Sequence, residues 1–151
     1  MRTLTIALLT CAFVLAADSA HVGTWTMNKS KSKVATGGQP IESLTVQFLQ
    51  DGSTLKAIAT TNGTAAPAVI ADGKEHAATA SPNSAADRMG STHYVSTVNG
   101  NTVQTVFKKD GKTVGTRKST VSADGKTRTS VTEGTGSDGK KFKSTLVFDK
   151  Q

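Results

Sequence analysis

Few side chains in this sequence could support covalent or metal chemistry, and their spacing limits what each could do. Beyond residue 20 the chain has three histidines, His21, His76 and His93, and its single cysteine is Cys11. No two of these histidines have the i, i+2 spacing of a strand or the i, i+4 spacing of a helix, so we predict no metal site. His21 could chelate copper weakly if it became the chain terminus, but a solvated tail is the simpler interpretation.

A serine hydrolase would need a nucleophile, a base and an oxyanion hole at one place. The stretch Gly90-Ser91-Thr92-His93 brings a serine close to a histidine, but no Gly-x-Ser-x-Gly elbow occurs. Asp87 and Arg88 cannot join them, because successive residues of a strand point to opposite faces. We therefore predict no catalytic residue, and no cofactor, since phosphate-loop and dinucleotide fingerprints are absent. A small hydrolase centred on Ser91 and His93 remains an alternative.

Residues 1–20 have the form of a secretory signal peptide. Arg2 precedes an apolar run, and small residues follow at Ala16, Ala17 and Ser19. The run is too short and wrongly flanked for a membrane anchor, so no transmembrane segment is expected. We predict that residues 1–20 are removed, that residues 21–151 form one domain, and that the mature protein is periplasmic or secreted.

The chain is basic, with a formal net charge of +7. Its lysines are dispersed and do not alternate with aromatic residues, as they would in a groove for single-stranded nucleic acid, so no nucleic-acid partner is predicted. Solubility is the simpler explanation of this charge. The alternative is an interaction module that binds an anionic envelope surface such as lipopolysaccharide or phospholipid headgroups.

Asx-Gly dipeptides punctuate the rest of the chain. Asp and Asn followed by Gly tolerate the positive φ that two-residue hairpin turns require. The seven examples are separated by 10 to 14 residues, except for one gap of 27. They are Asp51-Gly52, Asn62-Gly63, Asp72-Gly73, Asn99-Gly100, Asp110-Gly111, Asp124-Gly125 and Asp138-Gly139. The spacing predicts strands joined in series by tight turns, with a further turn at residues 81–84 inside the long gap.

The segments between these turns have the composition and alternation of strands. Leu44, Val46 and Phe48, for example, share one face of their segment. The predicted strands are 23–28, 41–50, 53–61, 67–71, 74–80, 88–98, 101–109, 112–122, 126–134 and 140–148. We expect an all-β, antiparallel, up-and-down meander of about 8–10 strands, closed into a barrel because a flat sheet would expose two long edges.

The first of these strands carries a known family motif. The run Gly23-Thr24-Trp25, followed by Asn28 and a Lys-Ser-Lys-Ser stretch, resembles the Gly-x-Trp signature of lipocalins and calycins. Together with repeated Asp-Gly-Lys turns, it resembles a group of small exported bacterial proteins described as lipocalin-like. That resemblance implies a barrel whose closed end is plugged by Trp25, with a cation on a late strand, Arg117 or Lys118, over the ring. The helix that lipocalins pack outside the barrel has no counterpart in this sequence.

The inward rows of the predicted barrel alternate large residues with Ser, Thr and Ala. Small residues cannot fill a wide barrel, so either a cavity remains or the walls collapse onto each other. If a cavity exists, we expect it to be lined by Phe48, Tyr94, Phe107 and Phe142. The sequence therefore favours a non-catalytic protein that binds a small apolar or amphipathic molecule inside its barrel.

Overall fold

The computed structural model describes residues 19–35, 40–79, 81–82 and 84–151. The predicted signal peptide, apart from its last two residues, lies outside this described part of the chain, as does Cys11. Within the described residues the structure is almost entirely strand, with one short helix and a single 3-10 turn at Lys29–Lys31. The elements are β1 Gly23–Met27, β2 Leu44–Asp51, β3 Thr54–Thr61, β4 Thr64–Ala65, β5 Val69–Ala71, β6 Glu75–Ala77, α1 Ala85–Met89, β7 His93–Asn99, β8 Thr102–Lys109, β9 Lys112–Val121, β10 Thr127–Thr135 and β11 Lys141–Lys150.

All the strands belong to one antiparallel sheet of 11 strands. Its order is β4-β3-β2-β1-β11-β10-β9-β8-β7-β6, and β5 also pairs with β3. Most neighbours in sequence are therefore neighbours in the sheet. The exceptions are β5, which pairs with β3 rather than with β4 or β6, and β1, which joins the first strands to the last by pairing with both β2 and β11. The predicted all-β meander is confirmed.

The two ends of this sheet curl round until they meet. The backbone amide of Gly73 donates to the carbonyl of Ser96 on β7 at 2.9 Å, and the amide of Ile70 on β5 donates to the hydroxyl of Tyr94 at 2.9 Å. These two bonds join the two sides of the curled sheet along a seam between β5 and β7.

Each Asx-Gly dipeptide lies in or beside a connection between strands, as its turn chemistry predicts. Asn62 and Asp110 are the clearest cases, because they are the described non-glycine residues with positive φ, at 49° and 50°. The glycines that follow them have φ of 82° and 72°. Two successive residues with positive φ are the requirement of a type I′ hairpin turn.

One predicted strand begins in the wrong place. The segment 88–98 is a strand only from His93, because Arg88 and Met89 belong to α1. The Ser84 hydroxyl accepts the amide of Asp87 at 3.0 Å and so caps the start of the helix. Gly90 ends it in the left-handed conformation, with φ of 59°. The helix lies across one end of the barrel, which we call the mouth, and it is far too short to span a membrane. No helix among the described residues has the length and apolar character that a span requires.

Two hydrophobic clusters occupy opposite ends of the barrel. The mouth cluster comprises Ala85, Ala86, Met89, Tyr94 and Phe107. The closed-end cluster comprises Trp25, Met27, Leu44, Val46, Phe48, Leu55, Ala71, Val103, Val121 and Phe148. The functional site lies between them.

Trp25 is fully buried within the closed-end cluster. Its indole Nε1 donates to the carbonyl of His21 at 2.7 Å, which satisfies the polar atom of the ring. The cation next to the indole is Lys150, whose Nζ lies 5.3 Å from the ring centroid. The expectation that Arg117 or Lys118 covers the ring is wrong, since Arg117 lies over Phe107 instead, at 5.4 Å.

Candidate functional site

A cavity of about 190 Å³ occupies the barrel between the two clusters. Its lining reaches from Phe48 near the closed end to Ala85 and Ala86 of α1 at the mouth. On the side of the barrel it also reaches the segments 66–69 and 77–79, which flank the seam. The walls therefore do not collapse onto each other, and the space is large enough for several water molecules or part of a small ligand.

Three of the four aromatic residues expected around a cavity line it. Phe48, Tyr94 and Phe107 are all buried and belong to the lining. Phe142 lies outside the lining, partly buried against the mouth cluster, with the guanidinium of Arg88 4.6 Å from its ring centroid. Its position on β11 opposite Gly134 directs it towards α1 rather than into the cavity.

Two arginines, Arg117 on β9 and Arg128 on β10, also line the cavity. Arg128 is only 5% exposed, its Nε has no hydrogen-bond partner, and its guanidinium lies 4.5 Å from the ring centroid of Phe48. Arg117 donates from Nε to the Thr132 hydroxyl at 3.2 Å. Among the described residues that line the cavity, none is an aspartate or a glutamate. The cavity therefore contains two cations and no side-chain anion.

Burial disfavours the charge on both guanidinium groups. Burial, followed by repulsion from Arg117, lowers the pKa of Arg128 to about 9, and burial also lowers the pKa of Arg117. With a pKa of about 9, Arg128 is still mostly protonated at neutral pH, because the pH lies well below that pKa. The cavity is positively charged under physiological conditions.

Hydroxyl groups surround the two arginines in register across neighbouring strands. Ser96, Thr105, Arg117 and Thr132 form one row, since each pairs with the next across β7, β8, β9 and β10. The hydroxyls of Ser96 and Thr105 are 2.9 Å apart. In the next row towards the closed end, Ser119 on β9 donates to Ser130 on β10, also at 2.9 Å.

Arg128 and Ser130 were missed from the sequence because β10 has misleading alternation, and Arg117 was assigned to the indole rather than to the cavity. Val131 is the large apolar residue of β10, and a period-two pattern would direct it inward. In the structure Arg128, Ser130 and Thr132 are buried instead, and Val131 faces outward. The signal that could have found them is the tight turn at Asp124-Gly125, which places Arg128 opposite Val121 of β9.

His21 is fully buried, so the interpretation of a solvated tail is wrong. Its ring packs against Phe48 with centroids 5.7 Å apart, and neither ring nitrogen has a hydrogen-bond partner. Burial, followed by repulsion from Arg128, lowers the pKa of His21 to about 4. His21 is therefore neutral at physiological pH and belongs to the closed end.

The structure does not assemble the alternative hydrolase site. Ser91 is buried and its hydroxyl donates to the carbonyl of Ala86 at 3.5 Å, whereas His93 is exposed beside Thr92. His76 instead contacts Asp72 through Nε2 at 2.8 Å and stacks on Tyr94 near the seam. No group of three or more metal-ligating side chains occurs in the described part of the chain.

Comparison with known proteins identifies the fold. No family model matches the chain, and no curated protein matches it either. Among solved structures, a secretory abundant heat soluble protein from Ramazzottius varieornatus has a TM-score of 0.61 and 10% identity, covering 89% of this chain and 98% of that one. The match to zebrafish ileal bile acid-binding protein complexed with cholic acid has a TM-score of 0.56 and 12% identity, covering 88% and 100% of the two chains.

A Schistosoma mansoni fatty acid-binding protein in complex with arachidonic acid is similar to the same extent. Its TM-score is 0.58 at 13% identity, and the match covers 88% of this chain and 97% of that one. At such low identities the likeness shows the fold alone: this chain has the calycin architecture that fatty acid-binding proteins share.

Proposed function

We propose that this protein binds a small amphipathic molecule with an anionic group inside its barrel, without catalysing a reaction. The observation that carries the proposal is the presence of Arg117 and Arg128 in a cavity that has no acidic side chain among its described lining residues. Proteins rarely bury a cation without a partner, because the loss of hydration is expensive. A bound anion would supply that partner.

The rest of the lining suits the hydrocarbon part of such a molecule. Aliphatic and aromatic side chains from both clusters surround the arginines, and a planar guanidinium binds a carboxylate through two parallel hydrogen bonds. Two of the solved structures with this fold contain cholic acid and arachidonic acid, which are both amphipathic carboxylates. This agreement in ligand chemistry supports the proposal.

The same proposal includes export. The apolar, small-residue character of residues 1–20 supports a secretory signal, and a domain beyond residue 20 without cysteine suits any redox compartment. Fusion of residues 1–20 to a reporter that is active only outside the cytoplasm tests this part. A reporter that stays inactive would contradict export.

Dodecanoate binding to Arg128→Met tests the ligand site. We expect the variant to bind dodecanoate at least about tenfold more weakly than the unaltered protein, since it loses a charge-assisted hydrogen bond. The unliganded variant should be more stable in urea, because the substitution removes an uncompensated buried charge. Displacement of a fluorescent fatty acid measures the affinity.

Lys118→Met is the matched control for this experiment. Lys118 follows Arg117 on β9 but is exposed on the outer face, so its removal changes the net charge equally without touching the cavity. Equal losses of affinity in both variants, or unchanged affinity in Arg128→Met, would contradict the proposed site.

Binding to an anionic envelope surface is a second candidate function. The turns β8–β9 and β10–β11 lie at the mouth and present Lys109, Lys112, Lys140 and Lys141, which are all exposed. If they form a docking surface, binding to phosphatidylglycerol vesicles should be strong at low salt and fall steeply as the salt concentration rises. Equal binding to phosphatidylcholine vesicles would contradict this second function.

A further inference from the structure

The cavity has two chemically different walls. The β7–β10 wall contributes most of the polar lining, namely Ser96, Thr105, Arg117, Ser119, Arg128 and Ser130, together with Tyr94, Val103 and Phe107. The wall formed by β2, β3 and β5 contributes Val46, Phe48, Ala57, Ala59, Val69 and Ala71. These two walls face each other across the barrel, because β1 and β11 separate them on one side and the seam separates them on the other.

The polar wall extends along the depth of the cavity rather than forming a spot at one end. Arg128, Ser130 and Thr132 occupy alternate positions of β10, so each row of the wall lies about 7 Å from the next. The rows reach from the closed end, where Arg128 covers Phe48, to the level of Ser96 and Arg117.

This wall has hydrogen-bond donors to spare. In each hydroxyl pair, Ser96 with Thr105 and Ser119 with Ser130, one O–H group is used within the pair and the other remains able to donate. The Nε of Arg128 has no partner, and no carboxylate lines the described cavity. The wall therefore suits a ligand that presents oxygen acceptors along its length.

A straight-chain anion could form hydrogen bonds with only some of the donors on this wall. Its head could pair with one arginine, but its hydrocarbon tail would lie against the remaining donors and displace their water. Covering a donor without giving it a partner is unfavourable, which opposes the binding of a molecule with one polar end and an apolar tail.

We propose that the cavity selects a facially amphipathic anion, a molecule with hydroxyl or other oxygen groups along one side and hydrocarbon along the other. The oxygens would face the β7–β10 wall, and the hydrocarbon side would face β2, β3 and β5. This inference rests on the proposed function, since it specifies the class of amphipathic anion that the same site takes.

Three probes, cholate, lithocholate and dodecanoate, test the inference. Cholate and lithocholate share one skeleton and one charge, and cholate has more hydroxyl groups along one face. We expect the unaltered protein to bind cholate more tightly than lithocholate or dodecanoate. Tighter binding of lithocholate or dodecanoate than of cholate would overturn the inference.

The double variant Ser119→Ala/Ser130→Ala links this selectivity to the wall. Removing both partners of a hydrogen-bonded pair leaves neither unpaired, so folding should be nearly unaffected. We expect cholate affinity to fall roughly tenfold, with dodecanoate affinity unchanged or higher. Equal changes for both probes would overturn the inference.

Thr120→Ala/Thr129→Ala is the matched control. Thr120 follows Ser119 and Thr129 precedes Ser130 in the sequence. The two threonines lie directly opposite each other on β9 and β10 and face outward. The control should leave the affinities for all three probes unchanged. If dodecanoate binds and responds to Arg128→Met while cholate does not bind, the proposed function stands and the facial inference fails. If neither dodecanoate nor cholate binds, the proposed function and the facial inference both fail.

Discussion

The closed end and the mouth of the barrel enclose the same cavity but are built differently. The closed-end cluster takes its buried residues from strands around most of the barrel, and Trp25 at its centre is fully buried. The mouth cluster is half the size, and Ala85, Ala86 and Met89 of α1 make up most of it. One end of the cavity therefore depends on the whole sheet, and the other depends on one short segment.

Because of this difference, we expect the closed end to contribute most of the stability of the fold and the mouth to be the place where a ligand enters the cavity. A helix as short as α1 is not stable by itself, so its position depends on tertiary contacts. One of these contacts is made by the sulfur of Met89, which packs over Gly115 and Gly134. These two glycines are paired directly across β9 and β10, and we call the space above them the glycine notch. Regions with few such contacts are the first to open in native proteins.

The largest expected effect is at the closed end, where Trp25→Ala should lower the free energy of unfolding by about 3–5 kcal/mol. The indole is fully buried in a cluster that draws on most of the strands, so the hole cannot collapse easily. Urea unfolding followed by circular dichroism measures the change. A loss below about 1 kcal/mol would show that the closed end does not carry the stability of the fold.

Acidification should also weaken the closed end, through His21. The pKa of His21 is about 4 in the folded protein, below its ordinary value of about 6.5 in an unfolded chain. As the pH falls, the unfolded chain takes up the proton first. The stability contributed by neutral His21 is therefore complete above pH 6.5 and lost between about pH 6.5 and 4, by about 3 kcal/mol in total.

Urea unfolding of the unaltered protein and of His21→Leu at several pH values isolates this effect. Asp72, Glu75 and Asp124 have lowered pKa values and also lose stability in acid, but both proteins share them. The stability of the unaltered protein relative to His21→Leu should fall as the pH falls from 6.5 to 4. A difference that is independent of pH would contradict the burial of a neutral His21.

At the mouth, Gly115→Ala should have an intermediate effect, about 1–3 kcal/mol. A Cβ at this position would overlap the Met89 sulfur and come within 2.7 Å of the carbonyl oxygen of Glu133. The displaced helix should exchange its amide hydrogens faster and release a bound fatty acid faster. Hydrogen exchange and stopped-flow release measure both.

Adding Met89→Ala to Gly115→Ala is the control for that prediction. Met89→Ala removes a buried side chain and so lowers stability by itself, but in that background the overlap with sulfur is gone and only the approach to Glu133 remains. Gly115→Ala should therefore cost less stability in the Met89→Ala background than in the unaltered protein. Slow exchange of α1 in Gly115→Ala would show that the helix does not depend on the glycine notch.

The smallest effect is expected for Lys150→Met. Its ammonium group lies 5.3 Å from the Trp25 centroid but is exposed to solvent. An exposed cation–π contact contributes about 0.5–1 kcal/mol, far less than the burial of the ring. A larger loss, measured by urea unfolding, would mean that the cation rather than the packing holds the indole in place.

Local signals in the sequence were enough to predict the strands and turns of the barrel wall, but not all of the side chains that are buried inside it. The Asx-Gly turns fix where strands end because their backbone requirement is local. The helix α1 also has a local signal, Ser84 before it and Gly90 after it, which a search for strand alternation passed over. The only local signal for Arg128 is the register that the Asp124-Gly125 turn imposes on β9 and β10. His21 had no local signal, because its burial depends on contacts with distant strands. Phe48, which packs against both, comes from β2.

The pairing of β1 has a consequence for the order in which the chain can fold. Trp25 on β1 pairs with Val46 on β2 and with Lys150 on β11, so its strand completes its hydrogen bonds only when the last strand is available. Contacts between residues so far apart in sequence slow folding. The hairpins from β7 to β10 can form before β11 is in place, whereas β1 and the indole of Trp25 complete their pairing only after β11 has joined the sheet.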